Sequence, residues 1–386
     1  MSAELTQRYR RALEGLLGVP ATEGNVVEVL RNGDQIFPAM LTAIREAEST
    51  VDFATYVYWT GDIAVEFAQA LCERAGAGVR VRVLLDAVGA QSMNRDLVAQ
   101  MEQSGVQFEF FRPPTTWKVW ETNHRTHRKV LICDEEVAFT GGVGIAEEWT
   151  GDAQDPEHWR ETHVRLRGPA VDGLRSAFVS NWAETGRELF DEYDRFPEQP
   201  QPGGCTVQVV QSAAQFGWSD LATVMAAMIG LAKDTLRITS AYFVPDERFV
   251  AYLTHAAARG VDVQVLMPGE HADKRVVQVA GEANYDELLE AGVRIFRYDR
   301  TMLHAKIVTA DGVVATVGSG NFDQRSLGIN EEANIVVFDR GTTEILDQQF
   351  ADDLQHATEV HPGDWKNRGP VQRVAEAVTN PISPQL

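Results

Sequence analysis

Two stretches of this chain carry residues able to do chemistry on an anion: "HRKVLICD" at 127–134 and "HAKIVTAD" at 304–311. Both read His-x-Lys-x4-Asp. Residues two apart on an extended strand share a face, so His127 lies beside Lys129, and His304 beside Lys306. A buried strand tolerates two such groups when an anion lies on that face to offset their desolvation. A lysine, Asn321 and a glycine-rich turn with free N–H groups make a phosphate cradle, with donors from Ser319 in "GSGN" (318–321) and from Gly142 in "GGVG" (141–144).

Two histidines facing one phosphorus can do more than bind. One attacks as a nucleophile and forms a phosphohistidine, while the other protonates the leaving alkoxide. Water or an alcohol then displaces the histidine. Lys129, Lys306 and Asn321 stabilise charge on the non-bridging oxygens, the part magnesium plays elsewhere. This chemistry calls for no metal and no cofactor, and no Asp/Glu cluster in the sequence suggests a metal site. A nucleophilic histidine needs a carboxylate to fix its tautomer. Glu161 in "HWRETHVRL" and Glu332 in "NEEANIVVF" occupy matching places for that role. Asp134 and Asp311 complete the catalytic motif at hairpin turns, where an aspartate orients the loop or a lysine and stays off the substrate. The other seven histidines lack this context. His124 reads as a loop residue, and His163 and the rest default to surface or satisfied core positions.

The elements that present these residues come in pairs. "TVDFATYVYW" (50–59) matches "TLRITSAYFVP" (235–245), "AGAGVRVRVLLD" (75–86) matches "AARGVDVQVLMP" (257–268), and "QSGVQFEFF" (103–111) matches "EAGVRIFRY" (290–298). Each half reads as strand, helix, strand, helix, strand and hairpin. Such alternation predicts an α/β fold of two similar α/β/α sandwich domains, related by a pseudo-twofold axis, with the site at their interface. The first domain is expected over 1–190 and the second over 205–386, joined by the Pro/Gly-rich linker 191–204, "DEYDRFPEQPQPGG". Asp311-Gly312 signals a two-residue hairpin turn. Ala310 would then pair with Val313, and His304 would face Ser319.

The bulk numbers narrow the partners. A chain of 386 residues, 44% hydrophobic and 24% charged, suits two globular domains. Cys72, Cys133 and Cys205 form no disulfide framework, so a reducing, cytoplasmic location and no disulfide-linked partner are expected. No stretch reaches the ~20 apolar residues that span a bilayer. The N-terminal amphipathic stretch, with Leu5, Tyr9, Leu13, Leu16 and Leu17 on one side, is expected to pack on its own domain. A net charge of −21 argues against a nucleic acid partner, whose binding is driven by basic surfaces.

"HRKVLICDEEVAFTGGVGI" and "LHAKIVTADGVVATVGSGNFDQRS" resemble the two signature motifs of the phospholipase D superfamily. "SAYFVPDE", "NHRTHRKV", "HWRETHVRLRGPAV" and "GSGNFDQRSLGINEEAN" are similar to bacterial cardiolipin synthases within it. The resemblance implies a bilobed phospholipase D fold and phosphatidyl transfer on a glycerophospholipid through a phosphohistidine. His127 would be the nucleophile and His304 the acid. It implies the conversion of phosphatidylglycerol to cardiolipin plus glycerol. A phosphodiesterase acting on nucleic acid is the alternative within the superfamily, and a catalytically silent lipid-binding protein the alternative outside enzymes. Cardiolipin synthases usually carry N-terminal transmembrane helices, absent from this sequence, so peripheral contact at the membrane surface is expected. Many relatives have asparagine in place of Gly144, a departure that implies a widened pocket, altered substrate choice or reduced activity. Trp117, Lys118 and Trp120 suit a lipid-facing lip.

Overall fold

The β-branched runs form strands in the same order in both halves. The computed structural model describes residues 2–113, 124–188, 197–212, 218–282 and 284–363. Trp117, Lys118, Trp120 and the first part of the linker lie outside the described residues. The first half contains β1 (Thr22–Arg31), β2 (Thr50–Thr55), β3 (Arg80–Asp86), β4 (Gln107–Phe111), β5 (Val130–Cys133), β6 (Val137–Gly141) and β7 (Thr162–Arg167). The second contains β8 (Cys205–Ser212), β9 (Thr235–Thr239), β10 (Phe243–Val244), β11 (Asp262–Pro268), β12 (Arg294–Tyr298), β13 (Ile307–Ala310), β14 (Val314–Gly318), β15 (Phe322–Asp323), β16 (Glu332–Val337) and β17 (Ala357–Val360).

Among the described residues, fifteen of these strands make one sheet, and β10 and β15 form a separate parallel pair. The halves join where β1 and β8 run antiparallel. Outward from that seam the first half runs β7, β6, β5, β2, β3, β4, and the second β16, β14, β13, β9, β11, β12, with β17 added at the edge. β2–β3–β4 and β9–β11–β12 are parallel, while the hairpin strands are antiparallel. The repeat in the sequence is thus a repeat in space, and its two copies share a single sheet.

Helices cover both faces. One core packs helices 32–46, 62–76 and 95–103 on the first half. A second packs helices 220–231 and 247–258 on the second. A third spans the seam, joining Val130, Ile132 and Ala138 to Ile307, Val317 and Ile335 under Leu174, Phe178 and Leu346. The helix Ser2–Leu17 departs from expectation. Tyr9 and Leu13 are buried in the second half's core with Met225 and Leu236, away from the half that follows them in sequence. The reason is topological: β1 lies beside β8, so a helix entering β1 starts at the seam.

The hairpin turns also differ from the two-residue reading. Val313 donates its N–H to Ala310 O (3.1 Å), and Ala310 pairs with Val314, so the loop has three residues. Asp311 (φ 53°) and Gly312 (φ 63°) both take the left-handed conformation of a type I′ turn closed by that bond, and Val313 is the extra, unpaired residue. The extra residue shifts the register by one, which, continued toward the site, sets His304 across from Gly320 instead of Ser319. Asp134 and Asp311 sit at these turns, and their hydrogen bonds reach no motif lysine. Asp134 accepts from the N–H groups of Glu48, Ser49 and Thr50, and Asp311 from those of Lys233, Asp234 and Thr235 as well as from Tyr9 Oη–H (2.8 Å). Each carboxylate anchors the start of the neighbouring antiparallel strand, β2 or β9.

Asp311→Ala removes a charged acceptor from several backbone donors and is expected to cost about 2–4 kcal/mol of stability. Denaturant unfolding checks the loss. Turnover measured well below the melting temperature should remain within about twofold of the parent, the usual outcome away from a site.

Candidate active site

The segments that lead into the two histidines do not close on their own half. Glu331 N–H bonds Arg125 O (3.0 Å) and His127 N–H bonds Glu331 O (2.9 Å). The repeat produces the mirror pair, Arg160 N–H to Met302 O (2.9 Å) and His304 N–H to Arg160 O (2.8 Å). Short parallel bridges, Thr126 with Glu331 and Arg160 with Leu303, therefore stitch the halves together beside each histidine. The residue that follows each bridge is a glutamate. Glu332 places both carboxylate oxygens 3.0 Å from His127 Nδ1, and Glu161 places Oε2 2.7 Å from His304 Nδ1. Each glutamate serves the histidine of the other half.

The remaining candidates gather around these pairs. Lys129 Nζ donates to His127 O (3.1 Å). Lys306 Nζ donates to His304 O and lies 2.9 Å from His304 Nδ1. Asn321 is buried, and its Oδ1 has no partner. Ser319 is turned away from a ligand role, because its hydroxyl donates to Glu332 Oε2 (2.5 Å). Gly142 packs directly under Glu161, where a Cβ would collide with the carboxylate. The glycine at 144 opens no void. A Cβ there would meet Val57 at 2.8 Å and the Trp149 ring at 3.1 Å.

Several contributors were not picked out from the sequence. Ser326 donates to Glu332 Oε1 (2.8 Å). Tyr56 packs edge-on against His127 with ring centroids 5.1 Å apart, and Trp149 and Trp159 pack against His304 at 5.2 and 5.4 Å. The repeat held a signal for two of them: at the spacing that separates His127 from His304, Ser326 is the counterpart of Trp149. His163 is buried beside Gly141 with no partner on Nδ1, so it is not the satisfied core histidine expected.

Burial dominates the electrostatics. It pushes His127 down to about 4, outweighing Glu332, and holds His304 well below the usual imidazole range with help from Lys306 and Lys129. Both rings are neutral at pH 7. Burial likewise lowers Lys129 to about 7 and Lys306 to about 8, against the pull of Glu332 and Glu161. The two glutamates part company. Burial raises Glu161 to about 7. Burial would also raise Glu332, but His127, Lys129 and the Ser319 hydroxyl outweigh it and hold the group below the usual carboxylate range. An ionised Glu332 can only accept, so His127 carries its proton on Nδ1 and leaves Nε2 as a free lone pair.

The chain belongs to the cardiolipin synthase, PLD-like domain family, whose model matches residues 40–171 and 225–354. Both matched segments contain one histidine–lysine motif. The chain is 31% identical over 379 residues to cardiolipin synthase 1 of Bacillus cereus, covering 96% of this chain and 74% of that one. It is 33% identical over 364 residues to cardiolipin synthase 2 of the same organism, covering 92% and 70%. Among solved structures, the phosphatidylserine synthase of Haemophilus influenzae superposes with a TM-score of 0.71 at 14% identity over 98% of this chain and all of that one, a likeness of fold.

Two outcomes follow from the paired geometry and its charges. Glu332→Gln and Glu161→Gln should each lower kcat by on the order of 10²–10⁴, as when the orienting carboxylate of a triad is neutralised, with the circular dichroism of the fold unchanged. As pH rises through about 7 and about 8 the lysines lose the charge that holds an anionic substrate. A pH series should therefore show kcat/KM falling on the alkaline side of that window. The corresponding limb of kcat should lie at higher pH, because bound anion favours the charged lysines.

Proposed function

We propose that this protein transfers a phosphatidyl group from one phosphatidylglycerol to the hydroxyl of another, making cardiolipin and releasing glycerol. The observation that carries the reading is the reciprocal pair of buried histidine–glutamate contacts, flanked by two lysines, in a member of the cardiolipin synthase family.

The residues divide the work as follows. His127 Nε2 attacks the phosphorus, and the bond to the departing glycerol oxygen breaks. His304 delivers its Nε2 proton to that oxygen as Glu161 passes a proton to Nδ1, and glycerol leaves. The hydroxyl of the second phosphatidylglycerol then returns a proton to His304 Nε2, Nδ1 gives its proton back to Glu161, and the oxygen attacks phosphorus as the bond to His127 breaks. Lys129, Lys306 and Asn321 face the charge that builds on the non-bridging oxygens, in a site dry enough to make those contacts strong. Two features favour His127 as nucleophile: the firmly ionised Glu332, and the Ser319 and Ser326 hydroxyls that support it. Glu161, raised to about 7, retains a proton close to His304 near neutrality, which suits the acid.

Among the described residues no helix is long and apolar enough to cross a membrane. In this reading the protein meets its lipid by peripheral contact at the cytoplasmic membrane surface.

Purified protein incubated in EDTA with phosphatidylglycerol vesicles should give cardiolipin and glycerol by mass spectrometry. His127→Ala and His304→Ala should abolish both products. Phosphatidic acid as the main product would make the protein a hydrolase. Cleavage of single-stranded DNA with no lipid product would replace the lipid reading with a nuclease, and vesicle binding without turnover would leave a silent lipid binder.

A further inference from the structure

The two halves treat their histidines differently. In the second half, the residues beside the histidine's return strand are Asn321 and Ser326, both polar. Their first-half counterparts are Gly144 and Trp149. The glycine is what lets the Trp149 ring in, since any side chain at 144 meets that ring. Trp149 is buried, packs edge-on against Trp159 at 4.4 Å and lies tilted against Trp59 at 5.8 Å. Its Nε1–H points at His304 Nδ1 at 3.4 Å. Trp159 tilts over the same imidazole by 36°, at 5.4 Å. Trp59 and Trp159 are half-buried, so the indoles run from the protein surface to one histidine. His127 instead has Tyr56 packed edge-on against it.

The loop that carries the indoles is tied down at both ends. Trp159 N–H bonds Glu148 O (2.6 Å), which closes the loop on the turn Glu147–Trp149. Thr301 Oγ1–H bonds His158 O (2.9 Å), and Arg160 then enters the backbone bridge to Leu303. Trp159 is therefore fixed one residue before the seam, against His304.

We infer that Trp159 walls the subsite for the alcohol exchanged at phosphorus, a glycerol moiety, with Trp149 packed behind it on the Nδ1 side of His304, and that this apolar wall makes an alcohol, and not water, the group that resolves the phosphohistidine. The inference rests on the functional reading above. His304 exchanges protons with the departing and the incoming oxygen, so both alcohols must lie beside it. The C–H faces of a glycerol backbone pack on indole, whereas a water molecule there gains no hydrogen bond from the ring faces and loses those of bulk solvent. A polar cradle on the nucleophile's side and an apolar wall on the acid's side divide the site into a phosphate end and an alcohol end. The same argument accounts for Gly144: a side chain there would crowd Val57 and the Trp149 ring that backs the wall.

The test uses the full chain on phosphatidylglycerol vesicles, with cardiolipin, phosphatidic acid and released glycerol quantified together. Trp159→Ala, at a half-buried position, should raise the ratio of phosphatidic acid to cardiolipin about 10-fold or more. Trp149→Phe, which keeps the packing, should raise it less. Labelled glycerol exchanged into phosphatidylglycerol should half-saturate at higher concentration in Trp159→Ala than in the parent. An unchanged product ratio and unchanged half-saturation in a folded Trp159→Ala protein would overturn the subsite, whatever the total rate. A parent protein that yields neither phosphatidyl product would overturn the functional reading itself, and the subsite with it.

Discussion

Each histidine is oriented by a carboxylate that the other half of the chain supplies, and much of the structure follows from that exchange. A histidine–glutamate contact of 2.7–3.0 Å tolerates little slack, so the two halves cannot hinge freely against each other without losing both contacts. The shared sheet, the seam-spanning core and the four backbone hydrogen bonds around Arg160 and Glu331 hold the halves in register. The crossover helices reinforce them. Ser2–Leu17 reaches from the first half onto the second, and Asp353 of helix 340–354 accepts from Arg31 and Arg160.

Burial makes this arrangement costly in the absence of substrate. Two glutamates, two lysines and two imidazoles lie in one desolvated volume, and the lysines and Glu161 respond by moving toward neutrality. A phosphodiester brings in the negative charge that restores the lysines. The chain's net charge of −21 acts over the outer surface and is screened within roughly 8–10 Å at ordinary salt, so it bears on approach to an anionic surface more than on chemistry inside the site.

The halves repeat in backbone but not in side chains. Glu332 is supported by two serine hydroxyls, while Glu161 has Gly142 beneath it and an indole where one of those serines would be. That difference adds to what His127 and Lys129 do in holding Glu332 below the usual carboxylate range, while burial raises Glu161. Duplication supplies the opposed geometry, and the residues at 142, 144 and 149 give the two histidines unlike surroundings, which in the proposed reaction are a nucleophile side and an acid side.

The motifs, their repeat and the strand–helix alternation were legible in the residues, because histidine–lysine spacing and β-branched runs are local. So was the presence of Glu161 and Glu332 at matching places. The turn register was misread by one residue, since Asp-Gly suits both two- and three-residue loops and only the strand pairing distinguishes them. Ser319 was assigned to phosphate for the same reason. Which histidine each glutamate serves, where helix 2–17 packs, why 144 is glycine and how near the indoles come to His304 depend on contacts between residues far apart in the chain. What the sequence by itself determined is the chemistry available and the number of times it occurs. The pairing across the seam, and the different surroundings it gives two identical motifs, exist only once both halves are packed on one sheet, because burial and distance, which set the charges, are properties of the packed chain.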